Sequence, residues 1–501
     1  MFVTVNVLLK GLVGNIRKLG GESPTLCNDG LSTVSFGGAM SFQYDDRAHA
    51  GLKSCFDSGR TRTVAWRIEQ LRGLESFLRE CEAPIARALQ SDFHKSPAET
   101  WLTETGWLLS EIRYARKNLK MWMKPQRVPV PLHCQPGRAW FTREPLGVVL
   151  VIGAWNYPLQ LSLAPLIGVF AGGNCALLKP PELAPETSRL LSSELPRFVD
   201  PETTRIVEGG PEVTRELLRH RFDHIFFTGS REKGREVMKA AALNLAPVTL
   251  ELGGKCPCIV TETADLRIAA RRIAWAKFLN AGQTCISPDY LLVHESVEAP
   301  LLGMIREALK RFYGEDPRTS PDYPRIVDER SFDRLRAYTG EGDVASGGRT
   351  DPADLYIEPT LIRGVRPESR LMRDEIFGPV LPVVTVPSLA RATDIVRAGG
   401  EPLAVYLFSS RQEDLREVEK RTLSGGICFN DLLFHASIHG LPFGGRGMSG
   451  FGAYHGRTGF ETFTAPRSVL VRSRYPDPDL RYPPYGEGKL RLLKWVVNLF
   501  S

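Results

Sequence analysis

No Cys-x-x-Cys pair occurs in this chain of 501 residues, although it holds nine cysteines. The number is odd, the residues are scattered, and Cys256 and Cys258 stand too close for a metal knuckle. Neither a disulfide framework nor a metal site is expected, and a reducing compartment fits. Dense charge is missing too. Sixty-four basic residues stand against 57 acidic ones, for a net charge of +7, and Arg271-Arg272 is the kind of short cluster that decorates a helix. Nucleic-acid binding is not expected. No repeat or low-complexity tract stands out. A P-loop is excluded, because Arg235 stands where a Lys-Ser/Thr pair is required. A Gly-x-Gly-x-x-Gly does occur, as Gly445-Arg-Gly447-Met-Ser-Gly450. It follows Leu-Pro-Phe-Gly instead of a strand and precedes no helix, so it reads as a loop and is rejected as a pyrophosphate site.

What is present is a soluble composition, 43% hydrophobic and 24% charged, long enough for two or three domains. Residues 1–39 hold Lys10, Arg17 and Lys18 against Glu22 and Asp29. They read either as an organelle presequence or as an extension ahead of Met40, which could itself begin a domain. The tail, residues 486–501, is apolar and basic but far short of the ~20 residues of a spanning helix. It would lie on a membrane surface or pack on a neighbouring domain, and it has no cysteine for prenylation.

Val64 to Glu82 shows helical spacing of Trp66, Ile68, Leu71, Leu74, Phe77 and Leu78. A second helix is expected from Trp101 to Met123. Pro125-Gln-Arg-Val-Pro-Val-Pro-Leu then suits an extended arm or edge strand. Strands follow at 147–153, 175–179, 204–208 and 224–228, with helices after the second and fourth. Such alternation predicts an α/β fold with a parallel sheet covered on both faces. A second α/β segment is expected from Pro247 to about Asn430. Ligands on such sheets bind at the carboxyl ends of the strands.

Several motifs sit there. Trp155-Asn156-Tyr157-Pro158 ends the first parallel strand, and Asn156 could offer its amide to an oxyanion or form an Asx-turn. Lys179 and Glu182 follow the second strand, as a ligand-binding pair or a solvated one. Gly229, Ser230 and Gly234 open a helix, where free N–H groups favour a phosphate, although most such turns are merely turns. Glu251, between apolar neighbours and a Gly pair, suits a general base if buried; capping or ion pairing is the rival fate. Glu375 precedes Phe377 at a turn. Finally, Asn280-Ala-Gly-Gln-Thr-Cys285 either buries a cysteine or presents a thiol.

From about Ser41 to Tyr485 these motifs, in this order, resemble the aldehyde dehydrogenase superfamily. The resemblance is closest to its class 3 branch, dimeric enzymes of medium- and long-chain or aromatic aldehydes. Supporting stretches lie at 144–158, 221–230, 247–255, 280–285, 375–382 and 441–445, and Glu251 and Cys285 are 34 residues apart (285 − 251). The resemblance implies a Rossmann-like cofactor domain at 41–124 and 146–250, a catalytic α/β domain at 251–430, and a small β oligomerisation arm at 125–145 and 456–485. Residues 1–40 remain an extension and 486–501 a tail. It makes Cys285 the nucleophile, with Asn156 holding the oxyanion and Glu251 activating water. Lys179 and Glu182 would flank the adenine ribose, and Ser230 with the Gly229–Gly234 turn the pyrophosphate. Glu375 and Phe377 would hold the nicotinamide ribose and ring, and Tyr157 would line the aldehyde channel. The small residues at 281–284 would leave room for substrate and nicotinamide. The implied cofactor is NAD, with NADP as the alternative, because Glu182 repels a 2′-phosphate. The implied state is a homodimer, cytoplasmic, with organelle import or peripheral membrane contact as alternatives. Arg446 is unusual beside the channel mouth; it would favour an anionic substrate or face solvent, and solvent is preferred.

Overall fold

The computed structural model describes residues 46–500, Pro367 apart. The candidate presequence lies outside the described residues. Two sheets dominate. The first has six strands, in the order Gly450–Phe451, Val248–Leu252, His224–Gly229, Val148–Ile152, Cys175–Lys179, Thr204–Ile206. All its pairings are parallel except that of the short Gly450–Phe451 edge. Its strands are apolar throughout because both faces are covered. Val149, Val151, Ala176, Leu178 and Phe226 face a layer built on helices Val64–Glu80, Gly106–Trp122 and Pro158–Gly172. Their neighbours Val148, Leu150, Ile152, Cys175, Leu177 and Phe227 face the other way, towards helices Asp46–Asp57 and Arg231–Leu243. The twofold alternation of a strand sorts one run of Val, Leu and Ile into two cores.

The second sheet has seven strands, in the order Asp343–Ser346, Thr360–Arg363, Val380–Val386, Tyr290–His294, Pro257–Val260, Ala404–Phe408, Gly426–Phe429. Only the first of these is antiparallel. A third, three-stranded antiparallel sheet joins Gln126–Val128, Gly137–Pro145 and Thr464–Arg472, the last two paired over nine residues. The Pro-rich stretch is thus a strand edge, as its composition suggests.

Two expectations shift. The segment after Pro247 does not open the second sheet: Val248–Leu252 completes the first, with Glu251 opposite Thr228. The second sheet begins at Pro257. A buried five-residue strand carries no mark of the sheet it joins. The expected helix at Trp101 is not α-helical from its start. It opens with a π turn, Trp101–Thr105, closed by Gly106 N–H donating to the Trp101 carbonyl, and only then runs on as Gly106–Trp122. The tail forms a helix, Glu487–Phe500. Among the described residues no helix is long and apolar enough to cross a membrane.

Candidate active site

In the first sheet the chain order turns about strand Val148–Ile152, whose neighbours are the strand that follows it in sequence and a later one, His224–Gly229. Parallel sheets bind ligands beyond the carboxyl ends of strands at such a point. A cavity of about 990 Å³ lies there. Its wall includes Asn156, Lys179, Glu182, Gly229, Ser230, Glu251, Cys285, Glu375 and Phe377. Asn156, Glu251, Cys285 and Phe377, as much as 221 positions apart in sequence (377 − 156), are brought to one space.

Two expected residues stand behind that wall. Tyr157 packs with Ala154 and Leu161, which do line the cavity, and shares a 2.6 Å hydrogen bond with the Thr284 hydroxyl. Gly234 lies inside helix Arg231–Leu243, where a Cβ would meet Leu252 Cδ2 at 2.7 Å. Its smallness lets the helix approach the sheet. The helix N-terminus itself is at Ser230, whose hydroxyl accepts from Lys233 N–H at 3.4 Å. That end of the helix is suited to a phosphate.

The thiol loop is held by its neighbours on several sides. Asn280 and Ala281 hold left-handed backbone at φ 52° and 49°, and Gly282 at 74°. Such conformations persist in non-glycine residues only where the surroundings impose them. The surroundings here are specific. Asn280 Nδ2 donates to the Asn156 carbonyl at 2.8 Å, and Asn156 Nδ2 donates to the Gln283 carbonyl at 3.0 Å. Gln283 Nε2 donates to the Arg325 carbonyl at 3.0 Å, and its Oε1 accepts from Val327 N–H at 3.0 Å. A Cβ at Gly282 would overlap the Gly378 carbonyl, so the thiol loop packs directly on the turn that carries Phe377. The expectation that residues 281–284 leave open room is therefore corrected. Ala281 and Gln283 are fully buried, and they anchor the loop instead of emptying it.

Cys285 is half-buried on the cavity wall, so the loop presents a thiol. Burial pushes that thiol up to about 12, with the Glu375 and Glu251 carboxyls adding to the shift. Glu251 is 4% exposed. Neither of its oxygens has a hydrogen-bond partner among the described residues, and burial drives its carboxyl well above the ordinary range. Capping and ion pairing, the rival fates, do not apply to it. Glu375 accepts from Gly254 N–H at 3.0 Å, and burial pushes it up to about 7. Phe377, at φ 51°, meets Trp155 edge to face at 5.4 Å. Lys179 is buried to 2% exposure, and its ammonium contacts the half-exposed Glu182 carboxylate. Arg446 faces solvent and donates to Glu401 at 3.0 Å.

Sequence reasoning missed other members. Arg334 lines the cavity and donates to the Ile376 carbonyl at 2.8 Å, bracing the Glu375–Phe377 turn from a separate helix. Phe443 and Tyr454 complete the wall from the loop that holds the rejected glycine motif's neighbours. No local signal marks Arg334 or Tyr454; Phe443 lies in the stretch at 441–445 that carries the resemblance, without a role assigned to it there.

The aldehyde dehydrogenase family model matches residues 40–469. The chain belongs to the aldehyde dehydrogenase family. Aldehyde dehydrogenase family 3 member B1 of Homo sapiens is 45% identical over 444 residues, covering 88% of this chain and 95% of that relative. The dimeric NADP-preferring aldehyde dehydrogenase of Canis lupus familiaris is 43% identical over 434 residues, 86% of this chain and 96% of its own. Among solved structures, the substrate-bound state of Staphylococcus aureus AldH superposes with a TM-score of 0.87 at 40% identity, covering 90% of this chain and 99% of that one. The family membership covers both principal sheets and the cavity at the first sheet's switch point.

Proposed function

We propose that Cys285, Asn156 and Glu251 carry out NAD(P)-dependent oxidation of medium- and long-chain aliphatic or aromatic aldehydes to carboxylic acids. The observation that carries this reading is the convergence of a thiol, an amide and an unpaired buried carboxyl on one cavity. The Cys285 sulfur adds to the aldehyde carbon as its thiolate, giving a thiohemiacetal. Asn156 Nδ2, and the Cys285 backbone N–H, stabilise the oxyanion. Bound NAD(P)⁺ supplies the two-electron acceptor for the hydride that leaves this carbon. The thioester left on Cys285 is attacked by water, whose proton Glu251 takes, and the carboxylic acid departs as the thiol is restored. A carboxyl whose proton affinity is raised by burial is suited to that last step.

The residues present fit the cofactor. Gly253 leaves a cradle that a Cβ would fill against the Glu375 carboxylate, and the helix starting at Arg231 turns its N-terminus to the same cavity. Lys179 and Glu182 would hold the adenine ribose, Ser230 the pyrophosphate, and Glu375 with Phe377 the nicotinamide side. Glu182 disfavours a 2′-phosphate by charge, but its contact with Lys179 offsets part of that charge. This supports NAD with NADP also accepted.

The test is NAD(P)H production with hexanal, hexadecanal and benzaldehyde, for the native chain and Cys285→Ser. Turnover that vanishes in the variant supports the thiol route, and the ranking of aldehydes sizes the channel. No turnover from folded, cofactor-binding protein would overturn it. The three-stranded arm supports a homodimer, which sedimentation tests. The helix Glu487–Phe500 supports peripheral membrane contact. Cytoplasmic location is the reading preferred to import through residues 1–39, and imaging with and without those residues decides between them.

A further inference from the structure

The two halves of the site come from different sheets. Asn156 follows a strand of the first, and Cys285 precedes a strand of the second. A thiol and an oxyanion donor must hold a fixed separation, since a misplacement of ~1 Å can cost ~100-fold in rate. The hydrogen bonds between Asn156, Tyr157 and the thiol loop join the halves directly, and the segment Lys95–Thr105 touches both as well.

Its contacts are buried and directional. Glu99 accepts from Asn280 N–H at 2.9 Å, at the first of the two left-handed residues of the thiol loop. Glu104 accepts from Leu159 N–H at 2.9 Å and Gln160 N–H at 3.1 Å. Those amides open helix Pro158–Gly172, immediately after Asn156 and Tyr157. The N-cap position of that helix is Tyr157, whose side chain makes no cap, so Glu104 reaches in from another element to do so. Lys95 donates to Glu104 at 2.7 Å and lies 4.5 Å over the Tyr157 ring. Lys95 and Glu104 are fully buried, and Glu99 is 8% exposed.

The π turn explains how one short segment does both. Residues five apart in an α-helix point in different directions, whereas i→i+5 hydrogen bonding widens the turn and brings them closer to one face. The turn Trp101–Thr105 sits between Glu99 and the end of that stretch, and Glu104 lies within it.

We propose that Glu99 is a positioning residue of the aldehyde dehydrogenase reaction: its carboxyl holds the strained Asn280–Ala281 turn, while Glu104 holds the Asn156 side through Leu159 and Gln160. This rests on Cys285 and Asn156 acting as nucleophile and oxyanion donor. Burial pushes the Glu99 carboxyl up to about 7, so a neutral amide oxygen is a fair substitute for it as an acceptor. An aspartate keeps the charge but withdraws the acceptor by one methylene.

The test compares Glu99→Gln, Glu99→Asp and Glu99→Ala by three readouts. These are hydrogen exchange in peptides spanning 279–286, the rate of Cys285 alkylation by iodoacetamide, and kcat with KM and the NAD⁺ Kd. Native-like behaviour is expected for Glu99→Gln. Glu99→Asp and Glu99→Ala should lose exchange protection in that peptide, alter the alkylation rate, and lower kcat by ~10- to 100-fold, with the NAD⁺ Kd unchanged. If Glu99→Ala does not fold, the Asp and Gln pair decides. The proposal is overturned if Glu99→Asp matches the native protein in exchange and kcat, or if Glu99→Gln is as impaired as Glu99→Asp. Exchange and alkylation respond to the brace even in a protein without aldehyde turnover. A chain that responds in these but turns over no aldehyde would lose the catalytic reading and keep the brace.

Discussion

The side-chain amide of Asn156 donates to the Gln283 carbonyl across 3.0 Å, two residues before the thiol. A primary amide has two N–H bonds, so the second is left for an anion forming at the carbon bound to Cys285. Asn156→Ala should lower kcat by ~10²- to 10³-fold, because the oxyanion exists in the transition state and not in the bound aldehyde. Steady-state kinetics with hexanal checks this. A raised KM at unchanged kcat would make Asn156 a ground-state binding group and remove its oxyanion role.

Burial and two nearby carboxyls push the Cys285 thiol up to about 12. In cofactor-free protein it is therefore a thiol at neutral pH, and the reactive thiolate is a small fraction that grows with pH. Alkylation at Cys285 by iodoacetamide, followed by mass spectrometry, should accelerate about tenfold per pH unit from pH 7 to 9.5, in line with this titration. A plateau near pH 8 would mean that a cation or donor stabilises the thiolate in solution.

The chemistry was more legible than its support. Asn156, Glu251 and Cys285 lie in stretches whose composition is odd for their place: an amide and a carboxyl at strand ends, a thiol after Gly-Gln-Thr. Local sequence exposes such oddities. The sheet that Val248–Leu252 joins was not legible, because strand pairing is non-local and five apolar residues fit either sheet. Nor were Glu99 and Arg334. Each sits in a helical stretch that reads as ordinary, and each acts on a backbone group far away in sequence. The apparent openness of residues 281–284 misled for a related reason. A small side chain signals either empty space or close packing, and Gln283 with Gly282 shows close packing.

Glu375 and Gly253 make a paired prediction. The carboxyl is raised to about 7 by burial, so it is largely protonated below that value and ionises as pH rises through it. An ionised carboxylate accepts ribose hydroxyl hydrogen bonds better than the acid does. NAD⁺ affinity should therefore tighten from pH 6 to pH 8 in the native chain and stay flat in Glu375→Gln, as titration calorimetry would show. A Cβ at residue 253 would overlap this carboxylate, so Gly253→Ala should weaken NAD⁺ binding at every pH while the fold remains. Unchanged pH dependence in Glu375→Gln would remove this carboxyl from the cofactor site.

The tail carries the last prediction. Helix Glu487–Phe500 leaves Leu490, Leu492 and Trp495 exposed, each about half accessible. Arg491 and Lys494 are exposed on the same helix, and Glu487 is its one acid. An apolar and basic helix of this length, too short to span, settles at the headgroup boundary of an anionic bilayer. Each cation near such a surface contributes ~1 kcal/mol, screened by salt. The full chain should sediment with phosphatidylserine-containing vesicles at low salt and less so at high salt. A chain ending at Tyr485 should stay in the supernatant with its kcat for hexanal intact, and the pair Arg491→Gln and Lys494→Gln should bind with an affinity between the two. Equal sedimentation with and without residues 486–501 would overturn the tail as a membrane contact. Binding that ignores both charge removal and salt would assign the attachment to Trp495 and the leucines alone.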